Sequence, residues 1–462
     1  MPAQQKVETT GPVEAGPCWA WAPYEPDDER PWDLARAGHL LRRAGFGGRW
    51  DRLQEALADG PQATIDRLLQ PAAEVEAFHR TYDAYEAALP RSNSVEGLTA
   101  WWLRRMIESP QPLLEKMTLF WHGYFATRNR AVQSTELMIG HVQRLRAHAL
   151  GNYADLLADV VHDPAVLLAL GAQENRRARP SEPFAEQLLA WCGLGPGQIS
   201  RRDVHEAARA LTGWFVLRHE MRFIEREHDT GVKRVLGHEG PFTGDDVLQI
   251  ALAQQAAPRW VVGRLYRWLI SETDEPSEEL LAPLVEDFGR DYNIGDLVER
   301  MVRSNRFFSP AAYRQRVKSP VEFALGIIRP LERLVPTVPL VEHLALLGQE
   351  LGDPPTSQGW AGGRYWINRA TLLGRHRLAE ELLAQGGAYG EGLDPAAAAR
   401  RHGREDESSA RAWLLALFLQ DDVAPEVREH LMRAVHGANG TSSPALRHFA
   451  RAVVAQPEFQ LA

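Results

Sequence analysis

From Trp32 onward apolar residues recur three and four positions apart, the period of amphipathic helices. Leu34, Ala37, Leu40 and Leu41 predict one helix that stops at the glycines 45–48, and Leu53, Leu57, Ile65, Leu68 and Leu69 predict a pair broken at Gly60 and Pro61. The same spacing predicts helices over about 72–89, 95–109, 111–127, 130–150, 152–161, 164–170 and 182–194. Ser200 with Asp203 three residues on reads as a capping box that opens a helix reaching Thr212, with Gly213 ending it. Between Trp214 and Gly237 the period changes. WFVLRH, MRFIERE and VKRVLG alternate and are rich in β-branched and aromatic residues, which predicts a small antiparallel meander inserted in a helical protein. Its second turn is placed at Asp229–Gly231, with Gly231 taking a positive φ. Helices resume at Thr243, with Asp246 in the capping-box position, and continue over about 255–273, 277–288, 294–303, 319–333 and 339–350. After a Gly/Pro/Trp-rich loop at 352–363 they close the chain over about 368–385, 393–401, 407–420, 424–436 and 443–455. The fold class is therefore mainly α, a multi-helical protein with a β-meander near 214–237. Residues 1–30, rich in proline and acids, read as a disordered tail, 31–385 as the main helical domain, and 386–462 as a C-terminal helical segment packed on it.

A chain of 462 residues with 44% hydrophobic content can bury a sizeable core without staples. The net charge of −9 and the absence of a basic stripe argue against nucleic acid as a partner. Cys18 and Cys192 are too few for a disulfide framework or a cysteine metal cage. No apolar run approaches the roughly 20 residues needed to span a bilayer, and the N-terminal stretch lacks the form of a signal peptide. Cytoplasm is thus the expected compartment, with no membrane association.

Candidate chemistry concentrates in two places. In EKMTLFWHGYFAT, residues 115–127, Glu115, Thr118 and His122 share one helical stripe inside an otherwise apolar, aromatic helix. They are either an acid/base or ligand pair, or a structural pair held by a bridging residue such as Arg105 or Thr118. The second place is the loop with Pro354, Pro355, Gly359, Trp360, Gly362, Gly363, Arg364, Trp366 and Asn368. Glycines there permit close backbone approach, and indole faces suit sugars or peptides as well as core packing. His228 and Asp229, Glu182 and Lys233 are further polar candidates, although Asp229 also suits a turn cap. No metal-ligand spacing, phosphate loop, dinucleotide fingerprint or nucleophile elbow is present, so neither metal nor cofactor is expected.

These segments, with AGHLLRRAGFG at 37–47, DVHEAARALTGW at 203–214, HDTGVKRVLG at 228–237, GDDV at 244–247, VKSPVEF at 317–323, PPTSQGWAGGRYWINRATLL at 354–373 and QPEFQ at 456–460, resemble in the same order the bacterial domain of unknown function 1800 family. The resemblance implies a mostly helical protein, often encoded beside a sulfatase-like partner, with no established activity. Two departures stand out. Where the family shows His-x-His after the tryptophan, this chain has His122-Gly123-Tyr124. Where it shows PNENYARELMELFTLG, this chain reads PSEPFAEQLLAWCGLG, keeping Glu182 but losing the usual Arg and two later Glu at Glu186, Gln187 and Ala190.

Two functions follow as expectations. One is a binding or helper protein, acting with a sulfatase-like partner or a polysaccharide-related ligand. Trp360, Trp366 and Arg364 would line its recognition surface, and Asn368, Trp121 and Lys233 complete the candidate set. The other is a hydrolase with His122 as general base, Glu115 orienting it, and Glu182, His228 or Asp229 assisting. Convergence of these residues on one open pocket would favour the enzyme.

Overall fold

The computed structural model describes residues 16–70, 75–89, 94–195, 197–433 and 443–462. Helices dominate, and most begin where the sequence supplies a side-chain cap. Asp33, Ser94, Ser134, Asn152, Asp163, Ser277 and Asn293 each accept a hydrogen bond from a backbone N–H of the helix they precede. Reciprocal capping boxes form at Ser200/Asp203 and Thr243/Asp246, as the sequence predicts, and also at Ser319/Glu322 and Asn368/Thr371. The predicted pair of helices forms over 50–69, broken at Gly60, whose φ of 82° and ψ of 175° leave the helical range.

The segment expected as a helix over 130–150 is two, Asn129–Val132 and Thr135–Ala147, because Gln133 turns left-handed at φ 53° and Ser134 starts a new cap. Of the tail expected over 1–30, the structure describes only the part from Gly16 on. Residues 1–15 lie outside the described residues, but Pro17–Ala20 is helical and the chain after it is packed into the core by Trp21 and Tyr24. The last residues of the helix expected over 424–436 also lie outside the described residues; Pro425–Arg433 is helical.

The β insertion is two separate antiparallel hairpins rather than one meander. Strand β1 (Trp214–Leu217) pairs with β2 (Glu220–Phe223), and β3 (Lys233–Val235) with β4 (His238–Gly240). Their turns sit at Arg218-His219 and Leu236-Gly237, all four residues with positive φ, the geometry that suits tight hairpins. Asp229–Gly231 is not a strand turn, and Gly231 does not take the left-handed conformation expected of it. Its N–H instead donates to the Asp229 carboxylate at 2.8 Å, an Asx-turn.

Apolar side chains gather in two clusters. One is built on residues 113–125, 145–216 and 247–312. The other combines residues from 98–142 with residues from 321–459, so the C-terminal segment 386–462 shares a core with the N-terminal helices. The helix Pro112–Phe125 runs between the two. Leu113, Met117, Phe120, Trp121 and Tyr124 face the first cluster and Leu119 the second, which buries the helix nearly all round. Its polar residues therefore have to find partners inside the protein.

Candidate functional site

Glu115, in the first turn of that helix, is fully buried and accepts three hydrogen bonds, from Arg105 Nε at 2.7 Å, Arg146 Nε at 3.2 Å and Trp102 Nε1 at 3.3 Å. The next residue points the other way. Lys116 Nζ donates to the carbonyls of Arg42 and Gly45 and to Glu322, which also accepts from Arg316. Burial pulls the Lys116 pKa down while Glu322 opposes it; the cations around Glu322 hold its carboxyl far below the usual carboxylate range against burial.

Two turns after Glu115 stands His122, also without exposure. Its Nε2 accepts the Gly352 N–H at 3.0 Å, which leaves the proton of the neutral ring on Nδ1. Burial, followed by the nearby His141, drives its pKa from 6.5 to about 3. Trp102 meets the ring edge-on with centroids 5.2 Å apart, and Trp360 lies at 5.6 Å. The shared partner of Glu115 and His122 is thus Trp102. Arg105 holds Glu115, and Thr118 Oγ1 donates back to Leu114 O.

The Gly/Trp loop is fastened to this helix. A Cβ on Gly359, where φ is 79°, would fall 2.0 Å from the Gly123 carbonyl oxygen, and a Cβ on Gly123 would touch the Trp360 ring at 3.5 Å. Farther along the loop, Gly363 N–H donates to Glu272 at 3.3 Å, and Val317 N–H reaches the other oxygen of the same carboxylate at 3.2 Å. Burial raises the Glu272 pKa, with Arg316 opposing.

Between loop, helix and the segment 264–273 opens a cleft of about 540 Å³, within the range of ligand pockets. Trp360, Arg364, Tyr365 and Trp366 form one wall, Arg264, Arg267 and Trp268 the other, and Gly123 and Tyr124 part of the floor. Glu272 is the only side-chain carboxylate among the described lining residues. A second concavity of about 1350 Å³, bordered by Trp260, shares Arg264 and Arg267 with the first.

Of the candidate residues, Trp360, Arg364 and Trp366 line the cleft. His122, packed against Trp360, and Glu115, two turns earlier on the same helix, are both fully buried and do not line the cleft. Trp121 is core, its indole N–H donating to Ala149 O at 3.0 Å. Asn368 caps the helix Arg369–Leu383 through the N–H groups of Ala370 and Thr371. Glu182 is exposed and pairs with His205 at 3.3 Å. His228 Nδ1 donates to Thr212 O at 2.9 Å, and Asp229 is gripped by Arg209 Nε at 2.7 Å, which holds its carboxyl below the usual range. Lys233 Nζ donates to the carbonyls of Asp229 and Gly231. None of these last four lines the cleft. No group of three His, Cys, Asp or Glu side chains poised for a metal occurs among the described residues, and no helix of these is long and apolar enough to cross a membrane.

Arg264, Arg267 and Trp268 were not singled out by sequence reasoning. The signal was present: Trp260, Arg264, Arg267 and Trp268 fall at i, i+4, i+7 and i+8, one face of the helix Ala256–Leu269. The stripe is indistinguishable from an ordinary amphipathic face until the opposing loop is in place.

The molecule is, by fold, a mostly helical protein with two small β-hairpins and an aromatic, arginine-rich cleft. Residues 39–461 match the family described as a protein of unknown function (DUF1800), and the chain belongs to that family. No curated protein and no solved structure matches it.

Proposed function

We propose that this chain is a binding protein whose cleft receives a carbohydrate-type ligand, with sugar rings laid against the aromatic faces of the Gly/Trp loop. The observation that carries this reading is the wall itself. Tyr365 is 78% exposed on a loop fastened at both Gly359 and Gly363, so its flat face is held open to solvent, while the partly buried Trp360 and the buried Trp366 line the same wall. The hydrolase reading draws less support. Its base, His122, is enclosed and already accepts a backbone N–H, and a lone Glu272 is one carboxylate short of the pair that glycoside hydrolysis ordinarily uses.

The test is titration of the protein with oligosaccharides, followed by tryptophan fluorescence and calorimetry, for wild type and Tyr365→Ala. Loss of one stacking face lowers affinity up to about tenfold, since such contacts carry ~0.5–1.5 kcal/mol. Unchanged binding by Tyr365→Ala, or no binding by wild type, refutes the reading. The sulfatase-like partner implied by the family resemblance is part of the same proposal, and co-purification of the two proteins is its test.

A further inference from the structure

Resting on that reading, we infer that the ligand is an anionic oligosaccharide whose carboxylate or sulfate groups are held by Arg264, Arg267 and Arg364. The first ground is a local reversal of charge. The chain carries −9 overall, yet the cleft is lined by five arginines and one carboxylate, Glu272. Two of those arginines are committed: Arg314 to Asp422 and Arg316 to Glu322. The side chains of Arg264, Arg267 and Arg364 make no hydrogen bond or ion pair among the described residues, whereas those of Arg43, Arg105, Arg209 and Arg303 do.

Arg264 is the most telling of the three. It is only partly exposed, and its guanidinium lies 5.9 Å from the ring centroids of both Tyr124 and Trp260. Burial pulls its pKa down, Tyr124 opposes, and the neighbouring Arg267 adds to the fall. The two cation–π contacts hold the guanidinium in place but leave its N–H donors idle, and a forked guanidinium–oxyanion pair satisfies them.

The second ground is the position of Arg264 and Arg267 at the meeting of the two concavities, both of which they line. A ligand reaching from one concavity into the other passes both guanidinium groups. Trp260, 43% exposed, lines the second concavity and Tyr365 the first, so each offers a ring face. Alternating ring faces and cations along a groove match a chain of sugar rings bearing repeated anionic substituents. Carboxylate and sulfate share this recognition chemistry, and the probes separate them.

The experiment measures binding of the full chain to four probes of matched length: oligogalacturonate, sulfated dextran, neutral dextran and poly-glutamate. One of the two anionic sugars is expected to bind at least ~10-fold more tightly than neutral dextran, weakening as salt rises, and Arg264→Gln to remove most of that advantage. Arg264→Lys keeps the charge but not the fork and falls between the two. Arg364→Gln, on an exposed side chain, gives a smaller loss and keeps the test usable should the Arg264 variant fail to fold. Neutral dextran binding as tightly as both anionic sugars overturns the inference while the cleft reading stands. Poly-glutamate binding as well as the better sugar also overturns it, since the cleft is then a general polyanion surface. If no sugar binds at all, the cleft reading falls and takes the inference with it.

Discussion

Sealing of His122 makes acid stability a direct probe of the site. An unfolded histidine takes up a proton below its ordinary pKa of 6.5, whereas the folded ring stays neutral down to about 3. Its contribution is therefore fully present well above pH 6.5 and is lost progressively as pH falls through 6.5 towards 3. Between pH 6.5 and 5.0, where carboxylates titrate little, the loss is about 1.6 kcal/mol, the slope rising towards 1.36 kcal/mol per unit as the unfolded ring becomes fully protonated. His39, buried with its Nε2–H on Phe307 O and also depressed by burial, acts in the same direction. His122→Gln keeps an oxygen to accept the Gly352 N–H and removes the titration. Urea unfolding at the two pH values is expected to show the variant losing about 1.6 kcal/mol less than wild type across the window, with unchanged m-values. Equal losses in both proteins would mean that His122 takes up protons in the folded state. The enclosed, neutral ring would then be wrong and the general-base role would regain its footing.

Glu322→Gln strands Lys116 and Arg316 in the interior and is expected to cost ~3–5 kcal/mol in urea unfolding, while Glu182→Gln, at an exposed pair with His205, costs under ~1 kcal/mol. Gly359→Ala drives a methyl into the Gly123 carbonyl and is expected to lower stability by more than ~2 kcal/mol and abolish sugar binding; Gly386→Ala, with similar positive φ but open space around it, serves as the control near ~1 kcal/mol, by calorimetric Tm. Metal analysis of dialysed protein is expected to find no stoichiometric zinc, iron or manganese, and one equivalent lost on His122→Ala would overturn this.

Much of the fold was legible because it is written in local patterns. Capping pairs such as Ser200/Asp203 and Thr243/Asp246 and the 3.6-residue apolar period act over a few residues, so the sequence alone exposes them. The β insertion was legible as strand-forming but not in its pairing. HDTG has the composition of a turn, yet Asp229 is drawn to Arg209 and the reversals occur at Arg218-His219 and Leu236-Gly237. Half of the cleft was legible too, since Trp360, Arg364 and Trp366 sit in an unusual loop. The facing half, Arg264, Arg267 and Trp268, lies on a helix of ordinary composition and gains meaning only from what stands opposite. For Glu115 and His122 the sequence marked residues that need partners but could not name Trp102, which reaches both from another helix.

The charged layer around the helix Pro112–Phe125 also bears on the order in which the chain can fold during synthesis. Arg43 reaches its carbonyl acceptors at Ile270 and Ala312, and Lys116 meets its carboxylate only at Glu322, 206 residues downstream. Until that segment leaves the ribosome, closing the N-terminal helices would bury cations with no anion, a cost of several kcal/mol each. The second apolar cluster is similarly incomplete without residues 321–459. The N-terminal helices therefore lack their full set of partners until residues 321–459 have been made.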